Sequence, residues 1–79
     1  MKGPRERARS VLAQALGIGV AAVHETAAIG TQEGWDSLAH MCLVAEIEAV
    51  LGRRLAADQI LAIASLDGIA RVLAEGPAL

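Results

Sequence analysis

The fold is decided by residues 36–52, which read DSLAHMCLVAEIEAVLG. Apolar side chains recur through this stretch at the spacing of a helix that packs against a core. Asp36 and Ser37 precede the run and carry oxygen atoms of the kind that cap a helix N-terminus. Gly52 follows the run, as glycine commonly does where a helix ends. The pattern therefore predicts an α-helix over residues 37–51.

Three more helices are predicted around this one. The first covers residues 4–16, which start with a proline suited to a first turn and end before a glycine. A short helix is predicted over residues 57–63. The last covers residues 66–75, which follow a serine that can cap the helix. Residues 17–35 lack periodicity and predict a long loop, with Val20, Val23 and Ile29 as apolar anchors. The expected fold is all-α: a four-helix bundle with three main helices, one short helix and a long first loop. The expected core is Val11, Leu12, Leu16, Leu43, Ile47, Leu51, Leu55, Ile63, Ile69, Val72 and Leu73.

Composition excludes several classes of protein. The 79 residues make one domain, 1–79, with a core over 5–75 and short tails. Cys42 is the only cysteine, so disulfides within the chain are excluded, and no metal site is expected. A net charge of −2 argues against nucleic-acid binding. No apolar run reaches the roughly 18 residues that span a bilayer. We expect a cytoplasmic monomer with no membrane span.

Ser37 is the candidate functional residue. It lies at the predicted N-terminus of the best helix, where unpaired N–H groups and the helix dipole favour a phosphate. A hydroxyl there is suited to carrying a phosphodiester. The simpler interpretation is that Asp36 and Ser37 only cap the helix.

The chain as a whole resembles an acyl carrier protein. Such proteins have about this length and the same order of helices, with an Asp-Ser-Leu motif at the start of the second. The segments that carry the resemblance are Asp36-Ser37-Leu38, residues 43–48 and 51–55 along and after that helix, residues 64–70 at the entry to the last helix, and Val20, Val23 and Ile29-Gly30 in the loop. The resemblance extends over residues 5–75 and predicts the acyl carrier type of helical bundle.

This resemblance implies that Ser37 carries 4′-phosphopantetheine, with Asp36 and Leu38 beside it. A phosphopantetheinyl transferase would move the arm from coenzyme A to Ser37. An acyl- or aminoacyl-loading enzyme and a downstream synthase or transferase would be the other partners. The protein would not be an enzyme; it would hold an acyl group as a thioester and present it. The residues expected to dock partners are Trp35, Met41, Glu46 and Glu48, although Met41, like Leu38, could instead pack inward.

Two features distinguish this chain from the acidic carriers of fatty-acid synthesis. Ala39 and Cys42 stand where those carriers often have acidic residues, which predicts weaker electrostatic steering and more apolar docking. Trp35 stands where a leucine or phenylalanine is common in the family, and with the missing acids it favours a specialised pathway of secondary metabolism or surface polysaccharide. We expect Cys42 to be buried or half-buried.

Three alternatives compete with an acyl carrier. An aminoacyl or peptidyl carrier shares the fold and the serine, but its motif usually differs from Gly-Trp-Asp-Ser-Leu. A hydrolase could use Ser37, His40 and Asp36 as nucleophile, base and orienting residue, but nothing in so small a domain predicts an oxyanion hole. An unmodified helical adaptor would use Ser37 only as a cap.

Overall fold

The backbone of residues 3–75, described here from a computed structural model, forms four α-helices. Helix α1 is Pro4–Leu16, α2 is Ser37–Leu51, α3 is Ala57–Ala62 and α4 is Leu66–Glu75. A single 3-10 turn, Val20–Ala22, lies in the loop between α1 and α2. These residues contain no β-strand, only an isolated bridge between Ala28 and Ser65. The all-α four-helix fold expected from the sequence is confirmed.

Local signals set the ends of the longer helices. Pro4 occupies the first turn of α1, where its missing N–H costs no hydrogen bond. Gly17 and Gly52 close α1 and α2 in the left-handed region, at φ +70° and +71°, which glycine adopts without strain. The Ser65 hydroxyl accepts the N–H of Gly68 at 3.1 Å and so caps α4. The predicted bounds of α1, α2 and α4 agree with the structure, whereas α3 ends one residue early, at Ala62.

The core lies where α1 packs against α2 and α4. Nine of the predicted core residues are buried, but Val11 and Leu16 are only partly buried at the edge of the cluster. The buried residues of α1 are instead Leu12 with the two small residues Ala8 and Ala13. The core residues that the prediction did not include are Ala8, Ala13, Val23, Ala27, Trp35, Val44 and Leu66.

Long-range hydrogen bonds organise the loop between α1 and α2. The half-buried guanidinium of Arg9 donates to the carbonyl oxygens of Val20 and Val23, at 3.1 and 2.9 Å. Val23 is buried, as expected of an anchor, but Val20 and Ile29 are exposed. The prediction of three apolar anchors is therefore wrong for two of them, because polar contacts hold this loop instead.

Helix α3 is attached mainly by polar contacts at its edges, since none of its residues is fully buried. The Gln59 amide oxygen accepts from the Ala56 N–H at 2.9 Å and from Arg53 at 3.0 Å. The Gln59 amide nitrogen donates to Glu75 at the end of α4. At its other end α3 passes very close to Gly68 of α4. Within residues 3–75, no helix is both long and apolar enough to cross a bilayer.

Candidate functional site

A tight turn aims the chain into the N-terminus of α2. Gly34 takes the left-handed region at φ +85°, and the Trp35 N–H donates to the Gln32 carbonyl at 3.1 Å. Asp36 then caps the helix: its carboxylate accepts the Ala39 N–H at 2.8 Å. The capping role predicted for Asp36 is therefore seen in the structure. The turn and the cap together fix Ser37 as the first residue of α2.

Ser37 is the only exposed serine of the three in the chain. Ser65 is half-buried, and its hydroxyl is engaged in capping α4. Ser10 is half-buried on α1 and is also engaged in an interaction. A large enzyme could therefore reach the hydroxyl of Ser37 without unfolding any part of the domain, and would have far poorer access to the other two.

Trp35, two residues before this serine, is buried. Its side chain is 2% exposed, and its indole N–H donates to Nδ1 of His40 at 3.1 Å. The two rings stack with centroids 6.0 Å apart. Trp35 therefore packs in the core, and its predicted role as a partner-docking residue is wrong. A partner at the surface cannot touch a side chain that the domain itself encloses.

His40 connects this core residue to α3. Because an indole N–H only donates, Nδ1 of His40 must accept, which leaves Nε2 to carry the proton. Nε2 lies 3.3 Å from the carbonyl oxygen of Ile60, which is its acceptor. A hydrogen-bonded chain thus runs from Trp35 through His40 to α3. This use of both ring nitrogens also gives His40 a structural role in place of the catalytic one considered in the hydrolase alternative.

Large apolar side chains are exposed near the start of α2. Leu38 is 76% exposed and Met41 is 64% exposed, so both predicted contact residues are accessible. Leu61 of α3 is 77% exposed, and it follows Ile60, whose carbonyl oxygen contacts His40. The backbone of Leu61 therefore lies close to the same end of α2. Leu38 and Met41, three residues apart on α2, therefore present exposed apolar side chains on one side of the helix next to Ser37, and the backbone of Leu61 lies in the same region.

The acidic residues of α2 contribute less to that surface than expected. Glu48 accepts the Leu55 N–H at 2.9 Å and so holds the turn after α2. Glu46 is half-buried. The docking role predicted for Glu48 needs correction, because its carboxylate is already used within the domain. Cys42 is exposed rather than buried, contrary to expectation.

The sequence interpretation missed two residues of this region. His40 appeared only as a candidate base, although the pairing of a lone Trp with a His five residues later was a signal of an internal hydrogen bond. Leu61 gave no signal, because an exposed leucine and a buried one look alike in a short apolar helix. Among residues 3–75, no group of His, Cys, Asp and Glu side chains is arranged to hold a metal ion.

Comparison with protein families assigns the chain to one of them. Residues 6–73 match the family described as phosphopantetheine attachment site, so the chain belongs to that family of carrier domains. Its members attach 4′-phosphopantetheine covalently to a serine. The family prediction made from the Asp-Ser-Leu motif and its surroundings is thereby confirmed. Comparisons with curated proteins and with solved structures found no match.

The residues at the start of α2 fit this group. Ser37 offers an exposed hydroxyl for a phosphodiester. The N–H groups of Ser37 and Leu38 find no acceptor in the part of the chain that the structure describes, as is usual in the first turn of a helix. Together with the helix dipole they favour a negatively charged phosphate at this point. When attached, the group supplies a flexible arm that ends in a thiol.

Proposed function

We propose that this protein is an acyl carrier protein that is modified on Ser37. A phosphopantetheinyl transferase attaches the arm to the Ser37 hydroxyl, and the arm then carries an acyl group as a thioester. The observation that carries the proposal is the position of Ser37, which is the one exposed serine and begins a capped 15-residue helix in a phosphopantetheine attachment domain. The chain presents its cargo to other enzymes and performs no chemistry itself.

Partners approach by way of the apolar surface formed by Leu38, Met41 and Leu61. Any enzyme that acts on the thiol must accept an arm rooted at Ser37, so the residues around that root are in reach of every partner. Charge plays a smaller part. No lysine or arginine lies between residues 30 and 51, but of the acids there Asp36 is occupied as a cap and Glu48 as a turn contact. Of the acids first proposed for docking, Glu46 therefore remains.

The cargo is proposed to be acyl, in a specialised biosynthetic pathway of the cytoplasm. The Gly-Trp-Asp-Ser-Leu sequence supports an acyl over a peptidyl cargo. The apolar, weakly acidic surface of α2 supports a dedicated set of partners over the general partners of fatty-acid synthesis. The exposed, unpaired thiol of Cys42 suits a reducing compartment. We further propose that the protein acts as a monomer.

The test is modification in vitro. Purified protein is incubated with coenzyme A, magnesium and a phosphopantetheinyl transferase of broad specificity, and its intact mass is measured. We expect one phosphopantetheine per chain, located on Ser37 by peptide mapping, and no change of mass in Ser37→Ala. Ser65→Ala is the matched control, because it removes another serine hydroxyl at the start of a helix and should still be modified. An unmodified wild-type chain, or a modified Ser37→Ala chain, would refute the proposal.

The cargo class is tested separately. The protein is purified from its own cells under conditions that preserve thioesters, and its mass is compared before and after treatment with hydroxylamine. The mass that is released identifies the acid. An amino acid in place of an acyl group would show that the peptidyl alternative is correct while leaving the role of Ser37 unchanged.

A further inference from the structure

A route from Ser37 into the interior of the domain lies beside His40. His40 follows Ser37 by three residues on α2, and side chains three residues apart are neighbours on one face of a helix. Ser37 is exposed and His40 is half-buried, so this face leads from the surface toward the interior. Nε2 of His40 lies 3.3 Å from the Ile60 carbonyl oxygen of α3. A chain that entered the domain beside Ser37 would therefore pass between α2 and α3.

Two rings fill this route. The side chain of Trp35 is 2% exposed, and its indole N–H donates to Nδ1 of His40 at 3.1 Å. The ring centroids are 6.0 Å apart, and the ring planes are 24° from parallel. From Trp35 through His40 to Ile60, each group lies within hydrogen-bond distance of the next. A methylene chain needs roughly 3.5–4.0 Å to each heavy atom beside it, so it does not fit between these groups.

Opening the route would break hydrogen bonds that an alkyl chain does not replace, since such a chain has neither donor nor acceptor. If the chain displaced the imidazole of His40, the indole N–H of Trp35 would remain buried without a partner, which is costly. The contact of His40 with the Ile60 carbonyl oxygen of α3 would be lost as well. The two rings therefore form a polar barrier next to the root of the proposed arm.

Outside the domain, the apolar surface beside Ser37 gives a long acyl chain little shelter. Leu38 is 76% exposed and Met41 is 64% exposed. A chain lying across them would stay partly in water and would cover the residues proposed to contact partners. Each methylene group left in water forgoes the gain from burial, roughly a factor of four in an equilibrium constant. A short or polar acyl group carries no such penalty.

We propose that Trp35 and His40 exclude long alkyl chains from the interior of this carrier, and that its cargo is a short or polar acyl group. The inference rests on the proposed function, since it requires an arm on Ser37, and it names the class of acid that this arm carries. Trp35 and His40 determine specificity in this role: they leave the Ser37 hydroxyl free to accept the arm and restrict what the arm carries.

The experiment loads the protein with acyl groups of two lengths. A transferase of broad specificity attaches acetyl- or octanoyl-phosphopantetheine from the corresponding coenzyme A thioester, and intact mass verifies one arm per chain. All proteins carry Cys42→Ala, because an exposed thiol can take an acyl group from the arm. The midpoint of urea unfolding, followed by circular dichroism, is then compared between the acetyl and octanoyl forms of each protein.

Two histidine variants test the barrier. His40→Ala removes the ring that contacts Trp35 and opens the space between α2 and α3. His24→Ala is the matched control, because it removes an imidazole that is exposed in the first loop. The hydrogen bond from this residue to Gln32 comes from the His24 backbone N–H and is kept. Because each variant is compared with its own acetyl form, a general loss of stability does not affect the result.

We expect the acetyl and octanoyl forms of the parent protein, and of His24→Ala, to unfold at the same urea concentration, because the added methylene groups stay in water. Burial of only three of them would raise the folding equilibrium constant about 60-fold. In His40→Ala the octanoyl form should be more stable than the acetyl form, by about tenfold or more in that constant. The cargo released by hydroxylamine from protein purified from its own cells should be a short or polar acid.

Octanoyl stabilisation of the parent protein, equal stability of the two forms of His40→Ala, or a native cargo with a long alkyl chain overturns this inference alone. If His40→Ala does not fold, the parent protein and the native cargo decide the question. A chain that accepts no arm from either thioester overturns the proposed function and this inference with it.

Discussion

Gly68→Ala tests how closely α3 and α4 approach each other. A Cβ at position 68 would lie 1.7 Å from the carbonyl oxygen of Ala62 and 2.8 Å from its carbonyl carbon. Ordinary van der Waals contact begins at 3.4 Å. The distance from the Cβ to the Ala62 oxygen would have to grow from 1.7 to 3.4 Å, so the two helices would have to separate by about 1.7 Å. Both atoms belong to the backbone, and no side-chain rotation can relieve the overlap.

Two effects of this substitution have opposite signs. Helix propensity alone predicts that Ala stabilises α4 by about 1 kcal/mol relative to Gly. Overpacking typically costs about 1–3 kcal/mol, and a forced backbone shift belongs at the upper end of that range or above it. The overpacking cost of about 3 kcal/mol, less the propensity gain of about 1 kcal/mol, leaves a net loss of about 2 kcal/mol or more in the free energy of unfolding, out of the roughly 4–12 kcal/mol of a domain this size.

The assay is unfolding in urea followed by the fluorescence of Trp35, which is the only tryptophan and is buried. Gly19→Ala is the matched control: this glycine has φ −74°, and no heavy atom lies within 4 Å of the point that a Cβ would occupy. It should raise stability slightly, by less than about 1 kcal/mol. If Gly68→Ala is as stable as the wild type, the steric argument is wrong and propensity decides the outcome.

The remaining predictions concern the surroundings of the site. His40→Ala should lower the free energy of unfolding in urea by about 1–3 kcal/mol, because it leaves the buried indole N–H of Trp35 unpaired. The double variant with Trp35→Phe no longer has that donor, so its loss should be smaller than the sum of the two single losses. A loss equal to that sum would contradict the hydrogen bond. Met41→Ala should lower kcat/KM of the transferase about fivefold or more, as expected of an apolar contact residue. Glu46→Lys should have a smaller effect that fades with salt, and a larger effect than that of Met41→Ala would show docking by charge. Ser37→Ala should leave the free energy of unfolding within about 1 kcal/mol of the wild type.

The ends of the helices could be predicted because their signals are local. A proline in the first turn of α1, glycines after α1 and α2, and a serine before α4 act through their own backbone or the next turn. The sequence predicts α3 one residue too long because Ile63, which follows it, is apolar and buried like a helical core residue. The structure ends the helix at Ala62, whose carbonyl group lies against Gly68 of α4.

The site itself was predictable in part. Ser37 and Asp36 follow from a cap motif in a family context, but the burial of Trp35 depends on the fold of the preceding loop. That loop is held by Arg9 and Gln32, whose partners are 8 to 14 residues away in sequence. Periodicity carries no information on such contacts, so the internal position of Trp35 could not be inferred from the sequence.

Helix α3 has a highly exposed leucine, Leu61, and none of its residues is fully buried. Substitutions on its outer face, at Leu61 for example, change the docking surface proposed above and leave the packed interior untouched. If partners dock there as proposed, recognition and folding are encoded in largely different residues at this point of the chain. Such a separation lets selection alter the set of enzymes that a carrier serves without a loss of stability that other mutations must repair.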